Sequence, residues 1–266
     1  MKRNLLSLVI IFGLISLKSS AQEFRVIKND AFQRGEKISY RAYYHSIVTG
    51  KVTAGICELE VTAENQKVAN RNTYRIVGKG FSKGPFSYFF RVVDRYESVV
   101  DEQSFMPWLF IRRVNEGGYK IEQDVVFNQI KKTATTNKKA PIAIPEYTQD
   151  IISAFYYTRT MDFTNAKKGD SYPINFYFDD SVYSTKFVFE GRQTIKIGAG
   201  TFNCLMFKPM VLKGKVFSEP FPVTLWVTDD KNKIPVFAES AILVGKVKME
   251  LISYSGLKNP LISKIK

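Results

Sequence analysis

The sequence predicts an all-β protein, with antiparallel, curved or barrel-like sheet and one short α-helix near residues 148–161. Apolar and polar residues alternate along nearly the whole chain, as they do in strands with one buried face. Aromatic and β-branched residues fill most of the apolar positions, and these residue types favour strands. Short segments with Gly, Asn or Asp separate the alternating stretches and are typical of turns. A hydrophobic content of 45% over 266 residues is enough to form a core.

The first half of the chain divides into predicted strands joined by tight turns. One strand places Ile38, Tyr40, Ala42 and Tyr44 on a single face, and a turn around residues 49–51 leads to its hairpin partner. The same alternation indicates further strands at Tyr74 with Ile76, Tyr96 to Val100, Trp108 with Phe110, Tyr119 with Ile121, and Val125 with Phe127.

Two hairpin turns and one polar loop are predicted in the second half. Asp179-Asp180 and Gly198-Ala199-Gly200 carry the residue types of hairpin turns, and a polar loop spans residues 229–233. The strands around the first turn have apolar faces formed by Ile174, Phe176 and Phe178 before it and by Thr185, Phe187 and Phe189 after it.

One segment, from Thr148 to about Met161, changes from strand to helical spacing. Ile151 and Phe155 are four residues apart and share a helix face. Thr148 is the predicted N-cap, and Asp150 in the first turn would meet the positive end of the helix dipole. The mature chain, residues 22–266, is predicted to be a single domain because no flexible linker flanks the helix. Two lobes, about 22–145 and 164–257, are the alternative.

The N-terminus has the pattern of a cleaved signal peptide spanning residues 1–21. Lys2 and Arg3 precede an apolar stretch at residues 5–17, and Ser19 and Ala21 are the small residues that signal peptidase favours before a cut. The apolar stretch is too short to span a bilayer. We therefore expect cleavage near Ala21 and a periplasmic or secreted protein, with no transmembrane segment after the signal is removed.

The charge balance suggests anionic partners. The whole chain has a formal net charge of +14, and the mature chain keeps +11. For an exported protein the expected partners are a lipid, a glycolipid or an anionic envelope polymer, and nucleic acid is not expected. A solvated basic surface without a partner explains the same charge, because the lysines are spread along the chain.

The chain lacks a recognisable catalytic or metal motif. Cys57 and Cys204 are the only cysteines and His45 is the only histidine, so a cysteine-based zinc site is not expected. The two cysteines suit either buried thiols or one long-range disulfide. A carboxylate pair such as Asp94 with Asp101 leaves open a carbohydrate-active or carbohydrate-binding protein. We predict no catalytic residue, no metal and no cofactor.

The most distinctive chemical feature is the number of aromatic residues, 21 Phe, 14 Tyr and 2 Trp. They fill the interior of a sheet or line a cavity for an apolar ligand. The segment 81–90 is the richest in rings and reads either as the mouth of such a cavity or as an interior strand. The predicted ligand-binding residues are Phe86, Tyr88, Phe90, Tyr156 and Trp226.

Several short segments, taken in order, resemble the domain of unknown function 3108 family. They are Gly35-Glu36, Val93-Asp94-Arg95, Asp150 with Ser153-Ala154-Phe155-Tyr156-Tyr157, Gly200-Thr201-Phe202, and Trp226 through Asp230 to Pro235. The resemblance covers nearly the whole mature chain and implies an exported bacterial protein with an antiparallel β fold. It supplies no catalytic residue. We expect a non-enzymatic binder of an amphiphilic or lipid-like ligand or envelope component, with a structural role in an envelope assembly as a further alternative.

Overall fold

The computed structural model describes residues 23–46, 50–137, 139–211, 220–241 and 246–265. The predicted signal peptide lies outside these residues. Of the predicted turn around residues 49–51, Thr49 also lies outside them, whereas Gly50 and Lys51 are described.

Within the described ranges, the chain forms fifteen strands and two helices. The strands of the first half are β1 Lys37–Ser46, β2 Gly50–Val61, β3 Gln66–Val68, β4 Arg71–Ser82, β5 Val93–Asp101, β6 Pro107–Glu116, β7 Tyr119–Asn128, β8 Thr133–Thr136 and β9 Lys139–Ala143. Those of the second half are β10 Ser171–Phe178, β11 Ser181–Ile197, β12 Gly200–Pro209, β13 Val223–Thr228, β14 Pro235–Ala241 and β15 Lys246–Ser255. The helices are α1 Phe86–Phe89 and α2 Ile151–Arg159.

The strands form one antiparallel sheet, which confirms the predicted fold class. Its order is β10-β11-β12-β13-β14-β15-β1-β2-β4-β5-β6-β7-β8-β9, and β3 pairs with β4 off this path. Strands β10 and β9 stand at the two ends of the order, so the described residues do not close into a complete barrel. The pairing of β1 with β15 hydrogen-bonds the strands before α2 to those after it.

Two predicted hairpin turns are confirmed. Phe178 pairs with Ser181, and Asp179 and Asp180 between them have φ angles of 47° and 58°. Asp tolerates this left-handed conformation better than most residues, and the twist it gives suits a two-residue hairpin. Ile197 pairs with Gly200, so Gly198-Ala199 forms the second turn.

The predicted start of the main helix was wrong by two residues. Asp150, not Thr148, is the N-cap of α2. Gln149 is still extended and forms a parallel bridge to Phe176 in β10, so the chain cannot become helical before it. The Thr148 hydroxyl donates a hydrogen bond to the carbonyl of Pro145 instead.

The interior-strand interpretation of residues 81–90 was also wrong. Strand β4 ends at Ser82, and Gly84 follows with a φ of 65° that turns the chain. The segment then forms the one-turn helix α1, which has no buried residue. The side chains of Tyr88 and Phe89 are each 89% exposed.

Two apolar clusters pack against the sheet. The main core draws on both halves of the sheet and on one face of α2; its largest fully buried side chains are Tyr40, Tyr156, Tyr177, Phe32, Phe105, Phe110, Phe127 and Phe202. The second cluster is smaller and belongs to the strands after α2; it consists of Phe163, Phe189, Leu205, Phe207 and Val227.

Candidate functional site

A cavity of about 550 Å³ lies between α2 and the strands β10 to β14. It adjoins the second cluster, of which Phe163, Phe207 and Val227 form part of the wall. Nearly all of its lining is apolar. Its volume falls in the range of about 300–1,000 Å³ that is usual for small-molecule sites.

One wall of the cavity is a face of α2. Ile151, Ala154, Phe155 and Thr158 all line it, and their spacing of three and four residues places them along one side of the helix. Asp150 fixes where this helix begins. Its carboxylate accepts hydrogen bonds of 2.8 Å from the backbone N–H groups of Ile152 and Ser153, which satisfies donors left free at a helix start.

The opposite wall consists of alternate residues on neighbouring strands. Ile174, Phe176 and Phe178 of β10 line the cavity, because every second residue of a strand points to the same face. The same alternation supplies most of the lining residues of the next three strands, Thr185 and Phe187 of β11, Phe207 and Pro209 of β12, and Leu225 and Val227 of β13; Lys186 of β11 borders the cavity as well.

Aromatic rings pack tightly at one part of this wall. The ring centroid of Phe163 lies 4.9 Å from that of Phe207 and 6.1 Å from that of Phe187. Phe187 and Phe207 are themselves 5.5 Å apart with nearly perpendicular rings. Two of these contacts are edge-to-face and the third is tilted, so the three rings pack against one another at this part of the wall.

Among the described residues, the ionisable groups that line the cavity are all cationic: Arg159, Lys186 and Lys233. Arg159 already has a partner, because its guanidinium donates to both carboxylate oxygens of Glu36 at 2.6 and 2.8 Å. Lys186 lies on an exposed part of β11. Lys233 is half-buried in the loop between β13 and β14, and burial lowers the pKa of its ammonium group.

A polar contact and an ion pair attach α2 to the first half of the chain. The Ser98 hydroxyl of β5 donates to the Asp150 carboxylate at 2.5 Å. At the other end of the helix, Arg159 and Glu36 form their ion pair with both side chains at most 2% exposed. Burial alone would lower the pKa of Arg159, but the carboxylate of Glu36 beside it raises that pKa above its usual value.

The comparison with family models decides the family. The model of the family described as protein of unknown function, DUF3108, matches residues 39–252. The chain belongs to the DUF3108 family. No curated protein matches the chain.

Solved structures similar to this DUF3108 chain are distant in sequence. A β-barrel-like protein of the domain of unknown function 1849 from Brucella abortus aligns with a TM-score of 0.54 and 10% identity, over 88% of this chain and 99% of that chain. A candidate lipoprotein from Parabacteroides distasonis aligns with a TM-score of 0.35 and 12% identity, over 88% and 100% of the two chains. At this identity the Brucella structure supports the barrel-like fold alone.

Segments that carry the family resemblance meet at α2. Glu36, from the Gly35-Glu36 segment, binds Arg159, and Asp150 caps the helix while Ser153 completes the capping box. In this DUF3108 chain these residues position α2 against the sheet. Of the residues in and beside α2 that carry the family resemblance, only Ala154 and Phe155 line the cavity.

The five predicted ligand-binding residues are not brought together at the cavity. Phe86, Tyr88 and Phe90 lie on or beside α1, between β4 and β5. Tyr156 is fully buried in the main core, on the face of α2 that points away from the cavity. Trp226 lies between two lining residues of β13 and so faces the other side of the sheet, where its indole N–H donates to Gln193 at 2.9 Å. A ligand contact at any of them stays a prediction.

The proposed carboxylate pair does not converge. Asp94 and Asp101 are seven residues apart on β5, which corresponds to about 23 Å along a strand. A glycosidase needs its two carboxylates about 5–10 Å apart. Asp101 is also fully engaged, because it accepts hydrogen bonds from the Arg71 guanidinium and from the backbone N–H and hydroxyl of Ser104.

The remaining polar candidates lie apart from the cavity. Cys57 of β2 and Cys204 of β12 are unpaired, which agrees with buried thiols rather than a disulfide. Burial raises the pKa of Cys57 to about 11 and that of Cys204 to about 12.

His45 is exposed on β1. Within the described residues no three His, Cys, Asp or Glu side chains cluster as metal ligands would, and neither helix is long and apolar enough to cross a membrane.

Proposed function

We propose that this protein is an exported, non-enzymatic binder of an amphiphilic or lipid-like ligand, and that the cavity beneath α2 holds the apolar part of that ligand. The observation that carries the proposal is a cavity of about 550 Å³ with an almost wholly apolar lining. Six of the lining side chains are phenylalanines: Phe155, Phe163, Phe176, Phe178, Phe187 and Phe207.

The volume and polarity of the cavity favour a hydrocarbon chain over water. A cavity of about 150 Å³ lined by apolar side chains stays dry and accepts benzene. This one is more than three times larger, and the side chains around it offer water few hydrogen-bond partners. Transfer of an alkyl chain into it gains roughly 25 cal/mol for each Å² of apolar surface removed from water.

The chemistry of the lining supports binding rather than acid–base catalysis. The described residues around the cavity include no carboxylate, histidine or thiol side chain. Its charged groups are two lysines and an arginine already bound to Glu36. Proton transfer to a substrate needs a group that can give or take a proton near neutral pH, and this lining supplies no acid–base pair for it.

The test places a large side chain in the cavity and compares ligand binding with that of a variant that has the same substitution elsewhere on the same strand. Thr185 lines the cavity, whereas Thr194, also on β11, is exposed and lies outside it. Each hydroxyl makes one hydrogen bond, to the carbonyl of Met210 and to the Asn203 side chain respectively. We expect Thr185→Trp to reduce the binding of Nile red, an uncharged apolar dye, at least tenfold and Thr194→Trp to leave it unchanged.

Native mass spectrometry of protein purified from its own envelope complements this test. The wild-type protein should carry a lipid-sized adduct that solvent extraction removes, and Thr185→Trp should carry less of it. A wild-type protein that is consistently empty and has no affinity for Nile red would contradict the proposal. A role as an interaction component of an envelope assembly stays a prediction, for which a co-purifying partner is the test.

A further inference from the structure

We propose that the ligand is a single-chain amphiphile with an anionic head group, and that Lys233 receives this negative charge at the cavity. The inference rests on the proposed function and adds the ligand class and the residue that selects it. Its observation is separate from the apolar lining, because it concerns a lysine at the cavity wall that has no ion-pair partner among the described residues.

A half-buried lysine is expected to have an ion-pair partner, and Lys233 has none among the described residues. Among the described residues its ammonium group has no hydrogen bond and no carboxylate within the 4.0 Å of an ion pair. Asp162, Asp230 and Asp30 act on it only from a longer range. Withdrawing an ammonium group partly from water without a contacting partner is unfavourable, so an anion bound beside Lys233 would pair with a charge that no described carboxylate contacts.

The other two cations that the described residues contribute to the lining are less suited to this role. The guanidinium of Arg159 is saturated by Glu36 and by the carbonyl of Asn232, to which its Nε donates at 3.0 Å. Lys186 is exposed, and water screens and solvates an exposed ammonium group. Lys233 is therefore the cation of this cavity with the most to gain from a bound anion.

The backbone holds Lys233 in a conformation that lysine rarely adopts. Its φ is 47°, in the left-handed region that favours Gly or Asn. The loop around it is tied down, because the Asn232 side chain donates to the carbonyls of Asn259 and Pro260 and the Asn232 N–H donates to Asp230. Strained residues held by their surroundings are often found at ligand sites.

The chemistry of the site limits the ligand to one class. A carboxylate and a phosphate monoester both satisfy an ammonium group, so a fatty acid and a lysophospholipid with a free phosphate share the required feature. The cavity volume lies in the lower half of the range for small-molecule sites and suits one chain. In such a ligand the anionic head group would contact Lys233 and the alkyl chain would contact the phenylalanines, so the ligand would match both the charged and the apolar parts of the lining.

The experiment separates the charge of the head group from the binding of the chain. Oleate, oleoyl lysophosphatidate and oleyl alcohol compete for Nile red on the full mature protein, each below the concentration at which it aggregates. The wild-type protein should bind both anionic ligands more tightly than the alcohol. Lys233→Gln should weaken binding of the anions about tenfold, the factor that corresponds to about 1.4 kcal/mol, and leave the alcohol unchanged.

Controls come from the same loop and from the other lysine of the lining. Lys231 is exposed in the loop and does not line the cavity, so Lys231→Gln should bind all three ligands as the wild-type does. Unchanged alcohol binding by Lys233→Gln shows that this variant is folded. A larger loss for lysophosphatidate than for oleate would identify phosphate as the preferred head group.

Three results would overturn the inference. They are equal affinity of the wild-type for all three ligands, unchanged binding of all three ligands by Lys233→Gln, and a loss of anion preference in Lys186→Gln but not in Lys233→Gln. Each of these leaves chain binding intact and so leaves the proposed function standing. Failure of all three ligands and of Nile red to bind would instead overturn the proposed function.

Discussion

The two faces of α2 meet different surroundings. Ile152 and Tyr156 point into the main core, where they are 8% and 0% exposed and pack among other buried side chains. Ile151, Ala154 and Thr158, on another face of the same nine-residue helix, border the cavity. The cavity therefore results from the position in which α2 is held, and not from the residue types of α2 alone.

Polar attachments on the filled side hold the helix apart from β11 to β13, whereas Gln149 just before it pairs with β10. Asp150 is bound to Ser98 of β5, and Arg159 is bound to Glu36 just before β1. These hydrogen bonds have short, directional geometry, so they fix both ends of the helix against the main core. We infer that α2 is prevented from collapsing onto the phenylalanines of the opposite wall by these two contacts.

The largest expected effect comes from breaking the buried ion pair. Glu36→Gln leaves the guanidinium of Arg159 buried without a counter-charge, and we expect it to lower the free energy of unfolding by about 3–5 kcal/mol. Glu60→Gln, which removes the partner of Lys37 in a largely exposed pair, should cost less than about 1 kcal/mol. Urea denaturation of both variants measures the difference. Equal, small losses would show that the ion pair does not hold the helix.

The next prediction compares the two faces of α2 by making the same substitution, isoleucine to alanine, at two adjacent residues. Ile152→Ala removes packing in the main core and should cost about 2–5 kcal/mol. Ile151 is 46% exposed at the cavity, so Ile151→Ala should cost less than about 1 kcal/mol because little packing is lost. Both changes have the same effect on helix propensity, and denaturant midpoints compare them directly. Similar costs would mean that the helix is packed equally on both sides.

The sequence predicted which residues share the faces that form the cavity walls, but it did not predict that a space lies between those faces. Alternation correctly placed Ile174, Phe176 and Phe178 on one strand face, and helical spacing correctly paired Ile151 with Phe155. Periodicity shows which residues share a face, but it does not show whether the opposing face is close enough to fill the space. Tyr156 and Trp226, which were predicted as ligand contacts, lie on other faces of α2 and β13, and a ligand contact at either stays a prediction.

The contacts that position the helix were beyond the reach of sequence patterns for a different reason. Glu36 and Arg159 are 123 residues apart, and neither stands in a motif that indicates its partner. Lys233 was read only as part of a polar loop, since its φ and its place at the cavity depend on loop contacts with residues near 260. A charged residue at the end of a predicted helix was the available signal for Arg159.

The last prediction concerns the pH dependence of the attachment at Asp150. Burial raises the pKa of this carboxyl from its usual 3.8 to about 6, although Ser98, Ser153 and Ile152 donate hydrogen bonds to it. The folded protein therefore binds this proton more tightly than the unfolded chain does. The resulting stabilisation is complete below about pH 4 and is lost as the pH rises through 6, with a maximum of about 3 kcal/mol at 1.36 kcal/mol per pKa unit.

Asp150→Asn isolates this contribution because its side-chain oxygen still caps the helix while the titration is removed. The free energy of unfolding, measured by denaturant at intervals from pH 4 to pH 7, should fall less steeply in this variant than in the wild-type. Asp162→Asn is the matched control, since Asp162 also accepts from a backbone N–H but is exposed and has a lowered pKa. Parallel curves for wild-type and Asp150→Asn would mean that Asp150 stays ionised in the fold and that the hydrogen bond from Ser98 offsets its burial.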